Sequence, residues 1–220
     1  MLPLQAVLSS EQVGHIRTRL SNLPYRDGAL SVGALAKEVK HNEQADLESE
    51  VTRELQAHVR ETLAGNALFS LYARPVRWSR LLFARYGSGH EYGRHYDNWN
   101  KKADDEGRMR SDMSFTLFLA DPDTYEGGEL VLERPEGPLT VKMPAGSVFL
   151  YPTGVLHHVR PVTAGERHVC VGWIQSQIRN EDQRALLFDL DLVLANLPEG
   201  EPRLILAKSI NSLLRMWGDV

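Results

Sequence analysis

A single cysteine, Cys170, stands in a chain of 220 residues. One thiol cannot close a disulfide within the chain, so a small scaffold stapled by disulfides is excluded and an oxidising compartment is not indicated. An excess of basic charge is also missing. Lys and Arg number 25 against 29 Asp and Glu, a formal net charge of -4, so the basic face of a nucleic-acid binder is not expected. Long apolar runs are absent too. Charge, Gly or Pro interrupts each of them before the ~20 residues that a membrane-spanning helix needs. The stretch from Met1 to Leu8 has no basic segment ahead of its short apolar run, which is not the pattern of a secretory signal. These absences lead us to expect a cytoplasmic protein with neither a nucleic-acid nor a membrane partner.

What is present suits an ordinary globular unit: 42% hydrophobic and 25% charged residues, enough to build a sizeable core. The first third reads as helical. Ser9 with Gln12 forms a capping-box pattern, and Val13, Ile16 and Leu20 then share a helical face. A second helix is expected from about Asp46 to Ala64, on Leu47, Val51, Leu55, Val59 and Leu63, with Gly65-Asn66 as its stop. The middle changes period. Strand-like runs at Val76–Tyr86, Ser114–Leu119, Glu129–Glu133, Leu139–Lys142, Ser147–Tyr151 and Arg167–Gln175 alternate with Gly/Pro turns. Short strands at close spacing, with no long helix between them, predict an antiparallel sandwich or jelly roll. The tail returns to helix, with Asn180 as a cap and stripes at Leu186, Leu190, Val193, Leu197 and at Leu206, Ile210, Leu213, Trp217. The expected class is mainly β with flanking α. A helical region spans 1–75, a β core 76–178 and a helical pair 179–220, all as one structural unit. The pair could also serve a homodimer.

Eight histidines raise the question of metal binding. His95 and Asp97 lie two apart in a segment that reads as extended, so both side chains can face one pocket. A third ligand has to come from another strand, and the segment Leu150–Val159, which carries His157 and His158, is the best source. Two histidines and a carboxylate on one face of a metal leave three positions open, as Fe(II) oxygenases require, although zinc accepts the same ligand types. Arg167 bears on that choice. Alternation puts it on a face with Val169, Val171 and Trp173, where a buried guanidinium needs an anionic partner such as the far carboxylate of 2-oxoglutarate. On spacing alone, a surface arginine at a strand start is an equal reading.

Taken together the motifs resemble one family along nearly the whole chain. The stretches are Arg85-Tyr86, Tyr92-Gly93, His95-Tyr96-Asp97, Ser111–Leu119, Asp121-Pro122, Tyr125–Val131, Val141–Gly146, Leu150-Tyr151-Pro152, Leu156-His157, Pro161–Thr163, Gly165, Arg167, Trp173–Ser176 and Leu186–Asp191, with Val39–Asn42 ahead of them. They are similar to the PKHD-type hydroxylases, bacterial relatives of the prolyl 4-hydroxylase branch of Fe(II)/2-oxoglutarate dioxygenases. The resemblance implies a double-stranded β-helix core. It implies iron ligands at His95, Asp97 and His157, with the spacing to Arg167 favouring His157 over His158. It implies a 2-oxoglutarate carboxylate on Arg167, a supporting Tyr86, O2 as oxidant and ascorbate as reductant. The implied reaction hydroxylates an unactivated C–H bond and releases succinate and CO2. A small metabolite, amino acid or siderophore-like substrate is favoured over a protein prolyl. The chain departs from the family pattern at Trp99 and Ala84, and its charged loop 100–107 falls beside the expected pocket mouth.

Trp99 is expected as a pocket wall and His90, in its Gly-rich loop, as a possible substrate contact. His15 and His58 read as solvated or packing residues on helices, His168 as structural, and Lys101 and Lys102 as a solvated patch. The competing readings are a non-catalytic jelly-roll module that binds or senses a metal, and a zinc hydrolase on the same scaffold.

Overall fold

The computed structural model describes residues 1–219. Two antiparallel sheets face each other. The larger has eight strands, with Leu2–Leu4, Val148–Pro152, Met113–Phe118, Arg167–Ser176, Leu82–Tyr86, Glu43–Ala45 and Tyr25–Asp27 in spatial order. Pro75–Trp78 also pairs with Arg167–Ser176. The smaller has five, in the order Leu139–Val141, Leu130–Leu132, His157–Val159, Glu91–His95 and Lys40–His41. This is the expected jelly roll with flanking helices, closed by hairpin and crossover connections rather than by intervening helices.

Side-chain alternation assigns each strand residue to one of two cores. From the large sheet, Phe83, Phe115, Leu117, Leu150, Cys170 and Ile174 pack against the helices, joining Ile16, Leu55, Val59, Leu63 and Phe69. Their neighbours Ala84, Tyr86, Phe118, Phe149, Tyr151 and Val169 point the other way, toward Leu130, Leu132, Val141 and Val159 of the small sheet. The helices therefore cover one face of the large sheet, and the space between the sheets is left for a site. Aromatic rings tie the helical layer down: Phe69 stacks on Trp78 at 5.6 Å, and both meet Phe115 edge-on.

Local rules explain most element ends. The Ser9–Gln12 capping box forms as expected, with Gln12 N–H donating to Ser9 Oγ at 3.2 Å and Ser9 N–H to Gln12 Oε1 at 2.9 Å. The second helix starts at Glu50 rather than Asp46. Asp46 instead accepts from the Glu48 N–H at 3.2 Å, a turn that competes with helix. Asn66 then caps a further helix, Ala67–Ala73, that periodicity does not separate from the one before. The expected strand Val76–Tyr86 is two strands. Ser79 breaks it, exchanging bonds with the Trp173 backbone through its own N–H and its hydroxyl. Four short strands before residue 75 extend the sheets beyond the helices expected there. In the C-terminal pair, Glu181–Asn196 and Glu201–Trp217, the second stripe packs as expected. In the first, Leu190 packs as expected, but Leu187 and Leu194 take the places of Leu186 and Val193, which are exposed. Among the described residues no helix is long and apolar enough to cross a membrane.

Phe115 is wholly buried at the junction of strand and helix layers. Phe115→Ala is expected to cost about 3–5 kcal/mol of folding stability, from lost burial plus the cavity left behind. Urea unfolding monitored by circular dichroism measures it, and a midpoint equal to wild type would show that the helical layer is not held by this ring.

Candidate metal centre and its cavity

Three side chains meet between the sheets. His95 closes the strand Glu91–His95, His157 opens His157–Val159, and the two are direct cross-strand partners. Their rings lie 4.3 Å apart between centroids. Asp97 follows two residues after His95, and potential ligand atoms of all three lie within 4.8 Å of one another. Each histidine pairs its Nδ1 with a backbone carbonyl, His95 with Gly93 and His157 with Val155, both at 2.8 Å. Donation from Nδ1 leaves both Nε2 lone pairs for a metal, the arrangement by which a hydrogen bond on one ring nitrogen orients the other. His157 Nε2 stands 3.8 Å from Asp97 Oδ2. His158 lines neither cavity described below.

The surroundings set the charge state. Burial pushes the His95 imidazole down to about 4, with the neighbouring His157 adding to the effect, so the ring is neutral near pH 7 and able to ligate. Burial works to raise the Asp97 carboxyl, but Lys101, His157, the Trp173 indole N–H and His95 outweigh it and hold the group below the usual carboxylate range. Ser114 donates to Asp97 Oδ2 at 2.8 Å and lies 3.2 Å from the Thr153 hydroxyl, which braces it. Lys101 stands 3.5 Å from Asp97 Oδ1, with its ammonium 3.6 Å from the centre of the Trp173 ring. The site thus offers two imidazoles and one carboxylate, a donor set that fits a divalent first-row metal with positions to spare.

A cavity of about 310 Å³ opens from this cluster into the space between the sheets. Arg167 lines it and is 2% exposed. Among the described residues Arg167 makes no ion pair, and its Nε has no hydrogen-bond partner. Its guanidinium carbon lies 4.9 Å from the centre of the Tyr86 ring and 5.8 Å from that of Phe118. Tyr86 is the residue directly opposite Arg167 in the adjacent strand and lines the same cavity. Burial pushes the Tyr86 phenol up, with Arg167 opposing, so its hydroxyl keeps its proton. Gly128 gives the guanidinium stem room: with φ +66, a Cβ there would meet Arg167 Cδ at 3.0 Å. A buried cation with no protein counter-ion is expensive, and the cavity in front of it fits a ligand carboxylate. The metal-ligating set and this cation share one chamber, which is the chemistry that a chelating, doubly acidic co-substrate needs.

A wider cleft continues outward from the same residues. Ser31, Val32, Tyr92, His95, Asp97, Lys101 and Lys102 line both spaces, while Arg167 lines only the inner one. Trp99 stands on the outer cleft, 70% exposed, as a wall residue would. His90 corrects the expectation made for it. It lines neither space, because its Nδ1 accepts from the Gly87 N–H and folds the side chain onto its own loop. Lys101 is a second correction. Alternation in its hairpin carries it into the cavity beside Asp97 instead of into solvent, whereas Lys102 is exposed. The charged loop 100–107 itself is a hairpin, Asn100–Lys102 with Arg108–Arg110, fastened by Arg77 to Asp105 and Arg60 to Asp104.

Lys40 was not singled out from sequence. It is 4% exposed on an edge strand, and its Nζ donates to Ser31 Oγ at 2.9 Å. Burial, aided by Lys101, pushes its ammonium down to about 8, which still leaves it mostly charged at pH 7. The one sequence signal was its place in Val39-Lys40-His41-Asn42. Asn42, also in that run, reaches the cavity with both side-chain polar atoms buried and unpartnered.

Comparison with known proteins agrees with this geometry. Residues 81–175 match the family model of the 2OG-Fe(II) oxygenase superfamily. The chain is 40% identical to a PKHD-type hydroxylase of Hyphomonas neptunium, over all of both chains. It is 43% identical to a PKHD-type hydroxylase of Synechococcus elongatus, again over all of both. Among solved structures it is similar in fold to a prolyl-4-hydroxylase of Pseudomonas putida, with a TM-score of 0.55, 20% identity, and coverage of 80% of this chain and 91% of that one.

Ser114 lines neither space yet fixes the Asp97 carboxylate, which lines both. Ser114→Ala is expected to weaken divalent-metal binding about 10- to 100-fold, the usual effect of removing a group that orients a ligand. Competition with a chromophoric chelator measures it. Unchanged affinity would mean that Asp97 is positioned by something else.

Proposed function

Since the chain belongs to the PKHD-type hydroxylases, within the 2OG-Fe(II) oxygenase superfamily, and is an iron- and 2-oxoglutarate-dependent dioxygenase, we propose that it hydroxylates an unactivated C–H bond of a small molecule in the cleft beside His95, Asp97 and His157. In this reading those three residues hold Fe(II), Arg167 and Tyr86 hold 2-oxoglutarate, and ascorbate restores iron oxidised in unproductive cycles. One C–H bond and one O2 are consumed with 2-oxoglutarate, giving an alcohol, succinate and CO2. The observation that carries the reading is Arg167, a buried guanidinium without a protein counter-ion in the same chamber as the ligand set.

Iron, when bound, supplies the O2 chemistry, and the chain's own groups supply everything around it. His95 and His157 would hold the metal through Nε2, because their Nδ1 atoms are committed to backbone carbonyls. Asp97 brings the single negative charge, steadied by Ser114. Arg167 would hold the far carboxylate of 2-oxoglutarate by charge-assisted hydrogen bonding, and the Tyr86 hydroxyl, which keeps its proton, would support the same end. Tyr92, stacked on His95 at 3.5 Å between centroids, and Tyr151, edge-on to His157 at 5.2 Å, wall the ligands from water. The outer cleft, with the exposed Trp99 on its rim, is the space open to the substrate. A non-catalytic metal-binding module has no use for Arg167, which argues against that alternative.

Arg167→Met is expected to raise the KM for 2-oxoglutarate by more than about ten-fold, the scale of losing a charge-assisted carboxylate contact. Iron affinity is expected to stay at the wild-type value. Succinate release measured across 2-oxoglutarate concentrations separates the two effects. An unchanged KM would remove Arg167 from the co-substrate site. In the same assay Asp97→Ala is expected to abolish iron-dependent turnover, and full activity there would reject the ligand set.

A further inference from the structure

The cations lining the inner cavity can be assigned one by one. Lys101 faces Asp97, and Arg80 pairs with Glu48 at 3.0 Å. Lys102 is exposed to solvent, and Arg167 is assigned above to 2-oxoglutarate. Lys40 is left over. Among the described residues it forms no ion pair, and its only hydrogen bond goes to the neutral hydroxyl of Ser31. Ser31 in turn donates to the Gly28 carbonyl at 2.8 Å, so its oxygen is free to accept but offers no charge. The remaining neighbour is the Tyr92 ring, whose centre lies 5.1 Å from the ammonium. An ammonium has three N–H donors, and one hydroxyl with a ring face does not replace the water that Lys40 has given up.

Its place in the cavity says which ligand would meet it. Ser31 and Tyr92, the two groups that touch the Lys40 ammonium, line both the inner cavity and the outer cleft. Lys40 and Arg167 themselves both line the inner cavity alone, and Arg167 shares neither of these neighbours. The Lys40 ammonium, without an ion pair among the described residues, therefore stands inside the inner cavity next to the residues that the two spaces share.

We propose that Lys40 binds a carboxylate carried by the substrate itself, so that the enzyme hydroxylates a small carboxylic acid whose acid group rests on Lys40 and whose reacting carbon lies beside His95, Asp97 and His157. This narrows the proposed function and rests on it. A single ammonium whose one hydrogen bond goes to a neutral hydroxyl matches the one charge of a carboxylate. A phosphate, with nearly two charges, would call for a cluster of donors. The acid group also fixes one end of the substrate, which is how a small molecule with few features is held in one orientation before the metal.

The test uses the full-length protein loaded with zinc, which does not turn over, and saturated with 2-oxoglutarate. Its 2-oxoglutarate affinity is measured first by calorimetry. If wild type takes up none, the proposed function itself fails and this inference falls with it. Fluorine NMR titration then compares trifluoroacetate with trifluoroacetamide, its uncharged counterpart. The acid is expected to bind about ten-fold more tightly than the amide, the scale of a charge-assisted hydrogen bond. Lys40→Met is expected to erase that preference and Lys40→Arg to keep most of it, with 2-oxoglutarate affinity unchanged in both. Equal binding of acid and amide by wild type, or no binding of the acid, overturns the proposal without any variant having to fold. A Lys40→Met protein that loses 2-oxoglutarate affinity overturns it as well, by assigning Lys40 to the co-substrate.

Discussion

The site depends on strand register. His157 faces His95 across one strand pair in the small sheet, and Arg167 faces Tyr86 across another in the large sheet. Side chains on a strand alternate between faces, so slipping either pair by one residue would turn its members out of the chamber. His158 shows the effect, since it adjoins His157 and lines neither space. Register is in turn held by the core on the other face of the large sheet. Phe83, Cys170 and Ile174 are buried against the helices, and only one register lets them stay there while Arg167, Val169 and Trp173 face inward. The helical layer therefore acts on the chemistry without touching it.

A second constraint is electrostatic. The inner cavity has one carboxylate, Asp97, among several cations. In a folded protein without ligands that imbalance opposes burial, since each desolvated cation lacks the counter-charge that would offset its lost hydration. The imbalance is tolerable because ligands bring the missing anions. In the proposed function the metal would bring further positive charge, the carboxylates of 2-oxoglutarate would answer the metal and Arg167, and the substrate's acid group would answer Lys40. Binding and stability are linked through the same charges: whatever anion binds the folded state and not the unfolded one stabilises it. The cavity is shaped by its small residues as much as by its charges. Ala84 lines the cavity without filling it, and Gly128 leaves room for the Arg167 stem, which an added Cβ would meet at 3.0 Å.

How much of this was legible in the sequence differs by kind of feature. Caps and helix stripes were readable because their determinants are local: Ser9 with Gln12, Asn180 with Gln183, Leu206 through Trp217. The strands were readable as runs but not as ends. Ser79 splits one run through a bond to Trp173, 94 residues away in sequence, and nothing near Ser79 announces it. The ligand pair His95 and Asp97 followed from alternation, while His157 against His158 needed the family spacing, since a doublet of identical residues carries no phase of its own. His90 failed for a related reason. A histidine in a glycine-rich loop can turn to its own backbone, and the Gly87 N–H took it.

The lysines mark the boundary most sharply. Composition rules place a lysine at the surface because an isolated ammonium is costly to bury. Those rules describe a protein whose charges are answered by its own residues or by water. At a site that works on anions, the answering charge belongs to the ligand and is absent from the sequence. Lys101 reads as solvent-facing yet sits against Asp97, and Lys40, not singled out in the sequence, is 4% exposed. Lys102, one residue from Lys101, obeys the surface rule. Residue type does not distinguish the two, and strand alternation does once the hairpin's phase is known. A buried lysine without a protein counter-ion is thus informative for the reason that makes it hard to foresee: the charge that would answer it belongs to a ligand and not to the chain.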